Sequence, residues 1–523
     1  MDSKPKAFQK YARHNFRLFS VTLGGLVISI WTLIRFFDRQ TTFDLVGQQI
    51  LAHQWLAGPS GGAIVGPTNY IFKILFVYMP LDVLALPERF KLILMTIAIN
   101  LVTYLVIVLV LGRLWRQFYP RMSNNLYLAT LWLALISGSV YWIQFSNSRN
   151  LEVAGGLLLA YASLRTLARP STLRFGGLTI GFSLLFFADS LQLYMTIAPI
   201  IVFAFACSLV SKHKMHHLFL TGLLVATTAV GYVGSKMLFW LSERIWNVGF
   251  LSADTHTNLN VSPSDLLTSL KQLIHLYVGG LELGRPVETL NLLLVAVVLS
   301  LGAWYAWKKV IGRRLFALVA IVWITDFVVY ILSGQAQRGD TSRYMIMTAP
   351  FFVLLLVAVL QAPNAFKRYL KVFVICVVIL NTLALLIALA TNWNPTFSKD
   401  SHLEVAESYM KNSRFAYGYA SMDTTLPVNY LSGWGKTLIP LTCYPDGKIA
   451  PSYLFFDRSF SLRTGAQKTT QIPVILDGGS ITNFPATCNK ADLATTFGQW
   501  KRIDRLADGS EVLIYDTHEL LQH

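Results

Sequence analysis

The chain has 523 residues, 54% of them hydrophobic and 14% charged, where an ordinary soluble domain carries about 25% charged residues; its mean hydropathy is +0.50. This composition excludes a soluble enzyme, a disordered chain and a secreted protein whose only long apolar run is a signal peptide. The net charge of +17 does not point to nucleic acid, because the basic residues fall in short clusters between apolar runs, which is the pattern of membrane topology.

The apolar runs are long enough to cross a bilayer, which takes about 18 residues or more. The first, Leu18 to Phe37, follows the basic start MDSKPKAFQKYARHNFR and lacks an A-x-A-like cleavage site, so it reads as an uncleaved span. Next come Phe90 to Leu111, Leu126 to Ile143, Leu151 to Leu164, Gly176 to Ala188 and Leu191 to Val210. Then follow Leu218 to Leu241, Thr289 to Trp307, Leu315 to Leu332, Tyr344 to Gln361 and Val372 to Trp393. The expected fold is therefore an α-helical polytopic membrane protein of about eleven spans. Tyr70 to Leu86 is also apolar but short, and Pro80, Asp82 and Pro87 interrupt it.

Charge decides the orientation. With the N-terminus cytoplasmic and Tyr70 to Leu86 lying along the outer surface, the basic clusters all fall inside. These are the N-terminal Lys4, Lys6, Lys10, Arg13 and Arg17, then Arg113/Arg116/Arg121, Arg165/Arg169/Arg174, Lys212/Lys214, Lys308/Lys309/Arg313/Arg314 and Lys367/Arg368/Lys371. A crossing at Tyr70 to Leu86 would turn the later clusters outward. The prediction is a multi-pass plasma-membrane protein whose residues 1–393 form the transmembrane domain, with 394–523 a soluble extracytoplasmic α/β domain. In that tail the pattern predicts a helix over His402 to Lys411, a strand over Phe415 to Ala420, another in PVILDGG, and a hairpin in WKRIDRLADGSEVLIYD turning at Asp508-Gly509. Cys443 and Cys488 both lie there, whereas Cys207 and Cys376 lie in spans. A Cys443–Cys488 disulfide suits an oxidising exterior, and two unpaired buried thiols are the alternative.

Three outer segments are candidates for chemistry: Asp38 to Arg89, Gln144 to Asn150 and Ser242 to Glu288, the last with an amphipathic run, LLTSLKQLIHLYVGGL, suited to the interface. An acid at the membrane boundary is expensive to desolvate and is a functional candidate by default. Asp44, in TTFDLVGQQILAHQWLAG, is the first, and a helix cap is the competing reading. Glu152 follows Arg149 and Asn150 at the mouth of the fourth span, where an i,i+3 ion pair would equally anchor the helix end. Asp189 sits in the turn before the sixth span, with capping the simplest role. In GQAQRGDTSRYMIMTAP, Arg338, Asp340 and Arg343 occupy an outer loop against the charge bias of the chain, and arginine suits bidentate contact with phosphate. His53 and His275 read as helix-surface residues. No Cys/His spacing suggests zinc and no Gly-rich loop suggests a bound nucleotide.

Together these features resemble the GT-C superfamily of integral-membrane glycosyltransferases, in the branch of lipopolysaccharide sugar transferases, aminoarabinose transferases and protein O-mannosyltransferases. The resemblance rests on Asp44 followed by QQILAHQWLAG with Gly58 fourteen residues after the acid, and on Gly66-Pro67-Thr68-Asn69-Tyr70 as a surface segment. It also rests on Glu152 in SRNLEVAGGLLLAYA and on Arg343-Tyr344 ahead of Pro350. The chain departs from the pattern where Leu45 replaces the second acid of the usual Asp-Glu pair and where Asp189 stands in place of a lysine.

The resemblance implies a sugar donor attached to a polyprenyl phosphate and an acceptor hydroxyl on a lipid, glycan or protein, with transfer at the outer face of the cell envelope and inversion at the anomeric carbon. It implies Asp44 as general base, Glu152 as the acid that orients the acceptor or shares a divalent cation (Mg or Mn) with Asp44, and Arg343, Arg338 and Arg149 as phosphate contacts. Asn150, Asp189 and Tyr344 would complete the substrate site, and no other cofactor is implied. The rival classes are a transporter or lipid-linked-sugar flippase and a catalytically silent scaffold.

Overall fold

The computed structural model describes residues 4–37, 43–56, 63–65, 74–84, 86–119, 123–136, 150–250, 262–278, 285–332, 345–363, 366–392, 402–415, 417–431, 437–443, 449–451, 471–477, 480–483 and 486–516. The chain divides into two compact units. One comprises Met1–Arg35, Thr96–Leu238 and Asp254–Trp393; the other comprises Phe36–Met95, Phe239–Ala253 and Asn394–His523.

The first unit is helical. Among the described residues, six helices are long and apolar enough to cross a membrane: Ile93–Phe118, Leu151–Ala168, Lys214–Ile245, Pro286–Trp307, Arg313–Leu332 and Phe366–Thr391. Shorter apolar helices cover Phe16–Ile30, Asn125–Ile136, Thr172–Ala188, Leu193–Leu209 and Thr348–Gln361. Each of the eleven expected spans coincides with one of these helices; the expected third span beyond Ile136 lies outside the described residues, and the α-helix of the tenth begins at Thr348.

Two of the short helices form the centre. Thr348–Gln361 is buried from Thr348 through Leu360, and Asn125–Ile136 is buried at ten positions. A helix apolar on all sides has no face for solvent and is stable only inside a bundle. They pack on each other through Trp132 and Phe352, whose rings lie 5.3 Å apart. Lipid tails offer no hydrophobic drive between helices, so close approach and interhelical hydrogen bonds hold the bundle. Trp132 Nε1 donates to Asn291 Oδ1 at 3.2 Å, and Asn291 Nδ2 donates to Asn381 Oδ1 at 2.9 Å. Asn100 Nδ2 donates to Thr32 Oγ1 at 3.0 Å. On the outer helices, Ile180, Phe219, Val233, Ile324 and Ile387 are exposed, as side chains facing lipid would be.

The amphipathic run becomes the helix Pro263–Val278. Its Tyr277 stacks on Trp323 at 5.1 Å and donates a hydrogen bond from its hydroxyl to Thr348 Oγ1 at 3.0 Å.

The second unit is built on a mixed sheet. A short parallel pair, β1 (Ala63–Val65) and β2 (Val248–Phe250), joins two segments far apart in sequence, with Ala63 opposite Val248. The six-stranded sheet contains β3 (Tyr417–Ala420), β4 (Thr437–Cys443), β5 (Ile449–Pro451) and β6 (Ile472–Leu476). A separate antiparallel pair, β7 (Ser480–Asn483) and β8 (Ala486–Asn489), precedes its last strands, β9 (Arg502–Arg505) and β10 (Glu511–Tyr515). The strand order is β5-β4-β3-β6-β10-β9, parallel between β3 and each of β4 and β6 and antiparallel elsewhere.

Side chains alternate across the sheet. Tyr417, Tyr419, Val474, Leu513 and Tyr515 fill one apolar core; Leu438, Ile475, Val512 and Ile514 fill the other with Ala406, Met410 and Val428 from the helices His402–Asn412 and Met422–Leu431. The expected hairpin is β9–β10, turning through Gly509 at φ +84°, a conformation that glycine adopts without steric cost. Cys443 and Cys488 are joined in a disulfide, which settles the two readings left open by the sequence, while Cys207 and Cys376 are free.

Candidate functional site

The helix Phe43–Leu56 carries the first acid. Asp44 is its second residue, in the first turn, where a negative charge suits the positive end of the helix dipole. The described side chains of Asp44's own helix are mostly buried: Gln48, Gln49, Ile50, Leu51, Ala52 and Gln54 all lie inside the protein. This helix packs on Met422–Leu431 and on a π-helix over Ile74–Tyr78. His53, expected on the helix surface, bonds through Nδ1 to Asp82 Oδ2 at 2.9 Å, and Lys91 Nζ donates to the Asp82 carbonyl at 3.0 Å. The segment expected to lie flat, Tyr70 to Leu86, is thus held to the helix of Asp44 by an imidazole–carboxylate contact.

Glu152 and Asp189 lie on neighbouring elements in another part of the fold. Glu152 lies in the first turn of Asn150–Ala168 and is buried. Asp189 follows the last residue of Thr172–Ala188 and is wholly buried. Its Oδ1 accepts from the Leu191 amide at 3.2 Å and its Oδ2 from Gln192 Nε2 at 3.2 Å. Gln192 Oε1 in turn accepts from the Thr196 hydroxyl at 2.8 Å. Asp189 therefore fixes the turn into the next helix, as its position suggested, and orients an amide that the sequence did not single out.

Gly156, one turn after Glu152 on the same face, faces this chain of bonds. A Cβ there would lie 2.5 Å from Gln192 Oε1 and 2.9 Å from Thr196 Oγ1. The face of Asn150–Ala168 that carries Glu152 is thus the face that meets the π-helix Leu193–Ile197. Extra residues in a helical turn of this kind occur often at functional sites.

Six of the sequence-predicted positions lie outside the described side chains. Asp44 and Asn150 are placed only by the helices they begin, and Arg149, Arg338, Arg343 and Tyr344 lie outside the described residues, as does Asp340. The side chain of His275 also lies outside them. Among the described residues, no group of three or more His, Cys, Asp or Glu side chains is placed to hold a metal ion.

The fold has a solved counterpart. The crystal structure of ArnT from Cupriavidus metallidurans bound to undecaprenyl phosphate superposes over 96% of this chain and 98% of its own, with a TM-score of 0.55 and 12% sequence identity. At this level of identity the likeness is one of fold. No family model matches the sequence, and no curated protein sequence matches it either. The ArnT-like fold spans the helical part and the C-terminal sheet alike, so the tail belongs to the shared architecture.

Two glutamines on the Asp44 helix escaped the sequence reading. Gln48 and Gln49 are buried, and neither amide has a hydrogen-bond partner among the described residues. The signal was present as a Gln-Gln pair inside an apolar stretch, one turn after the acid.

Proposed function

We propose that the chain is a membrane glycosyltransferase that moves a sugar from a polyprenyl-phosphate donor to an acceptor hydroxyl at the outer face of the membrane, inverting the anomeric centre. The observation that carries this reading is the likeness to ArnT along nearly the whole chain, joined to an acid in the first turn of the first helix after the opening span. The crystal structure of that neighbour holds undecaprenyl phosphate, the class of lipid that would carry the sugar here.

In this mechanism the Asp44 carboxylate takes the proton of the acceptor hydroxyl as the oxygen attacks the anomeric carbon. The bond from that carbon to the phosphate oxygen breaks, and its electron pair leaves with polyprenyl phosphate. Negative charge grows on the departing phosphate, and positive charge placed there lowers the barrier. Arg343, Arg338 and Arg149 are assigned to that task. Glu152, with Asn150, Asp189 and Tyr344, orients the substrates. A divalent cation between Asp44 and Glu152 is not needed for any of these steps, and none is routed through one.

The proposed orientation places the N-terminus in the cytoplasm and residues 394–523 outside, with eleven crossings. Thiol labelling of intact cells checks it: a cysteine at Gly61 should react from outside, and one at Ser123 should not.

The decisive experiment incubates purified protein in lipid nanodiscs with a panel of polyprenyl-phosphate sugars and candidate acceptors. Transfer by the wild type and its loss in Asp44→Asn, with folding intact, is the expected result. Transfer that persists undiminished in Asp44→Asn removes the base assignment, and absence of transfer with every donor and acceptor removes the enzymatic reading.

A further inference from the structure

Gln48 and Gln49 are the most costly polar side chains on the helix Phe43–Leu56. Gln48 is 0% exposed and Gln49 4%, and the amide oxygen and nitrogen of each are buried with no hydrogen-bond partner among the described residues. A buried donor or acceptor left unpaired loses its water and gains nothing in return. Leucine or methionine at both positions would suit the apolar surroundings better, so the folded protein alone gives no reason for these residues. Unmet groups of this kind mark places where a bound partner completes the hydrogen bonding.

Their placement along the helix identifies what they serve. Gln48 is four residues after Asp44, on the same face, and Trp55 is seven residues further along that stripe. The Trp55 indole nitrogen is also buried without a partner among the described residues. Acid, amide and indole thus follow one another on a single stripe, with Gln49 beside it.

The chemistry of the unmet atoms selects the ligand class. A phosphate would satisfy only the amide nitrogens, and the amide oxygens would face its negative charge. A hydroxyl accepts from the nitrogen and donates to the oxygen, so one amide is fully met by a pair of neighbouring hydroxyls. Two consecutive amides with both functions open, next to an indole, fit a sugar ring rather than a phosphate.

We propose that Gln48 and Gln49 bind ring hydroxyls of a sugar and hold it in register with Asp44. The site belongs to the donor sugar or to a sugar on the acceptor, and both present the same vicinal hydroxyls. This inference rests on the transferase reading and adds the residues that recognise the carbohydrate.

The test uses the full-length protein in nanodiscs with Gln48→Met and Gln49→Met, which keep side-chain length and remove the amide. For each variant, kcat/KM is measured with the sugar donor and acceptor that the wild type uses, and again with analogues of each lacking one ring hydroxyl. Thermal unfolding is followed in parallel. The variants should lose roughly tenfold or more in kcat/KM while unfolding at the same temperature as the wild type or higher.

A deoxy analogue should weaken the wild type strongly and the matching variant hardly at all, because the bond is already gone. Non-additivity confined to donor analogues assigns the site to the donor sugar, and non-additivity confined to acceptor analogues assigns it to the acceptor. Variants that transfer as fast as the wild type, or that respond to deoxy analogues as the wild type does, overturn the inference. A variant that unfolds earlier overturns it too, since removing an unpaired amide should not weaken the fold. A wild type inactive with every donor and acceptor overturns the transferase reading itself, a result distinct from active variants.

Discussion

Gly156 and Gln192 are packed so closely that the smallest side chain at position 156 would lie 2.5 Å from the glutamine's Oε1. That oxygen is not free to swing aside, because its amide also donates to Asp189 and the oxygen accepts from Thr196. Gly156→Ala must therefore push Gln192 off Asp189 or separate two helices. The expected cost is about 1–3 kcal/mol of stability, as for overpacking elsewhere, with a matching fall in transfer. Adding Gln192→Ala should restore part of the unfolding temperature by making room. Equal damage in the single and double variants would argue that the two residues are not coupled.

Asp326 lies in the helix Arg313–Leu332, is buried, and has no hydrogen-bond partner among the described residues for either carboxyl oxygen. A polar group in this position costs on the order of 1–3 kcal/mol unless something binds it. Asp326→Leu is expected to raise the unfolding temperature in nanodiscs. A drop instead would show that the carboxyl is engaged in the membrane-embedded protein.

His402 ties the second unit together at the end of its sheet. Its Nδ1 meets Asp508 Oδ2 at 2.8 Å and Ser510 Oγ at 2.9 Å, and its Nε2 contacts Asp477 and lies 3.1 Å from Thr424 Oγ1. Burial pulls the imidazole toward neutrality, but the hydrogen bonds and charges of Asp477 and Asp508 outweigh it and leave its pKa raised. Burial likewise pushes both carboxyls up. Hydrogen bonds and the histidine's charge overcome this and leave both lowered, those of His402 and Ser421 leading for Asp477 and those of Ser510 for Asp508.

A raised histidine stabilises the fold below its ordinary value, near pH 6.5, and this contribution disappears as the pH climbs through the raised value. Lowered carboxyls stabilise above their ordinary value, near pH 4, and lose that contribution as the pH falls. The second unit should therefore be most stable between about pH 4 and 6.5 and weaken on either side. Unfolding temperatures recorded against pH test this. In His402→Gln the alkaline decline should flatten, and an identical decline in that variant would assign it to other groups.

The Cys443–Cys488 bridge joins positions separated by 45 in sequence, and both cysteines are buried in one of the sheet's cores. A loop of that size is worth roughly 3–4 kcal/mol through the unfolded chain. Cys443→Ser with Cys488→Ser should lower the unfolding temperature of the second unit and leave helix content in the membrane unchanged. An unaltered melting curve would show that the covalent link is dispensable.

The membrane helices were legible because lipid demands long apolar runs, and the described part of each of the eleven expected spans is largely helical. The start of the tenth, expected at Tyr344, was less legible: its α-helix begins at Thr348, and hydropathy registers apolar character but carries no signal for where a helix starts. In the tail, His402 to Lys411, the strands around Tyr417 and Ile472 and the turn at Gly509 followed from local pattern. The sheet order did not, because pairing β3 with both β4 and β6 joins stretches far apart in sequence. At the candidate site, Asp189 was visible as a turn-forming acid, but Gln192 was not, since its importance comes from Gly156 on another helix. Gln48 was hidden for a different reason: in sequence it is one more polar residue, and only burial without a partner sets it apart.

The helix Phe43–Leu56 packs on the helix Met422–Leu431, so the element bearing the proposed base rests on a stretch that the ribosome makes only after all the apolar helices. A nascent chain can thread its bundle into the bilayer long before that support exists. Premature termination anywhere ahead of residue 422 should therefore yield a product that inserts yet has no seat for the helix Phe43–Leu56, leaving unfinished copies inert in the membrane.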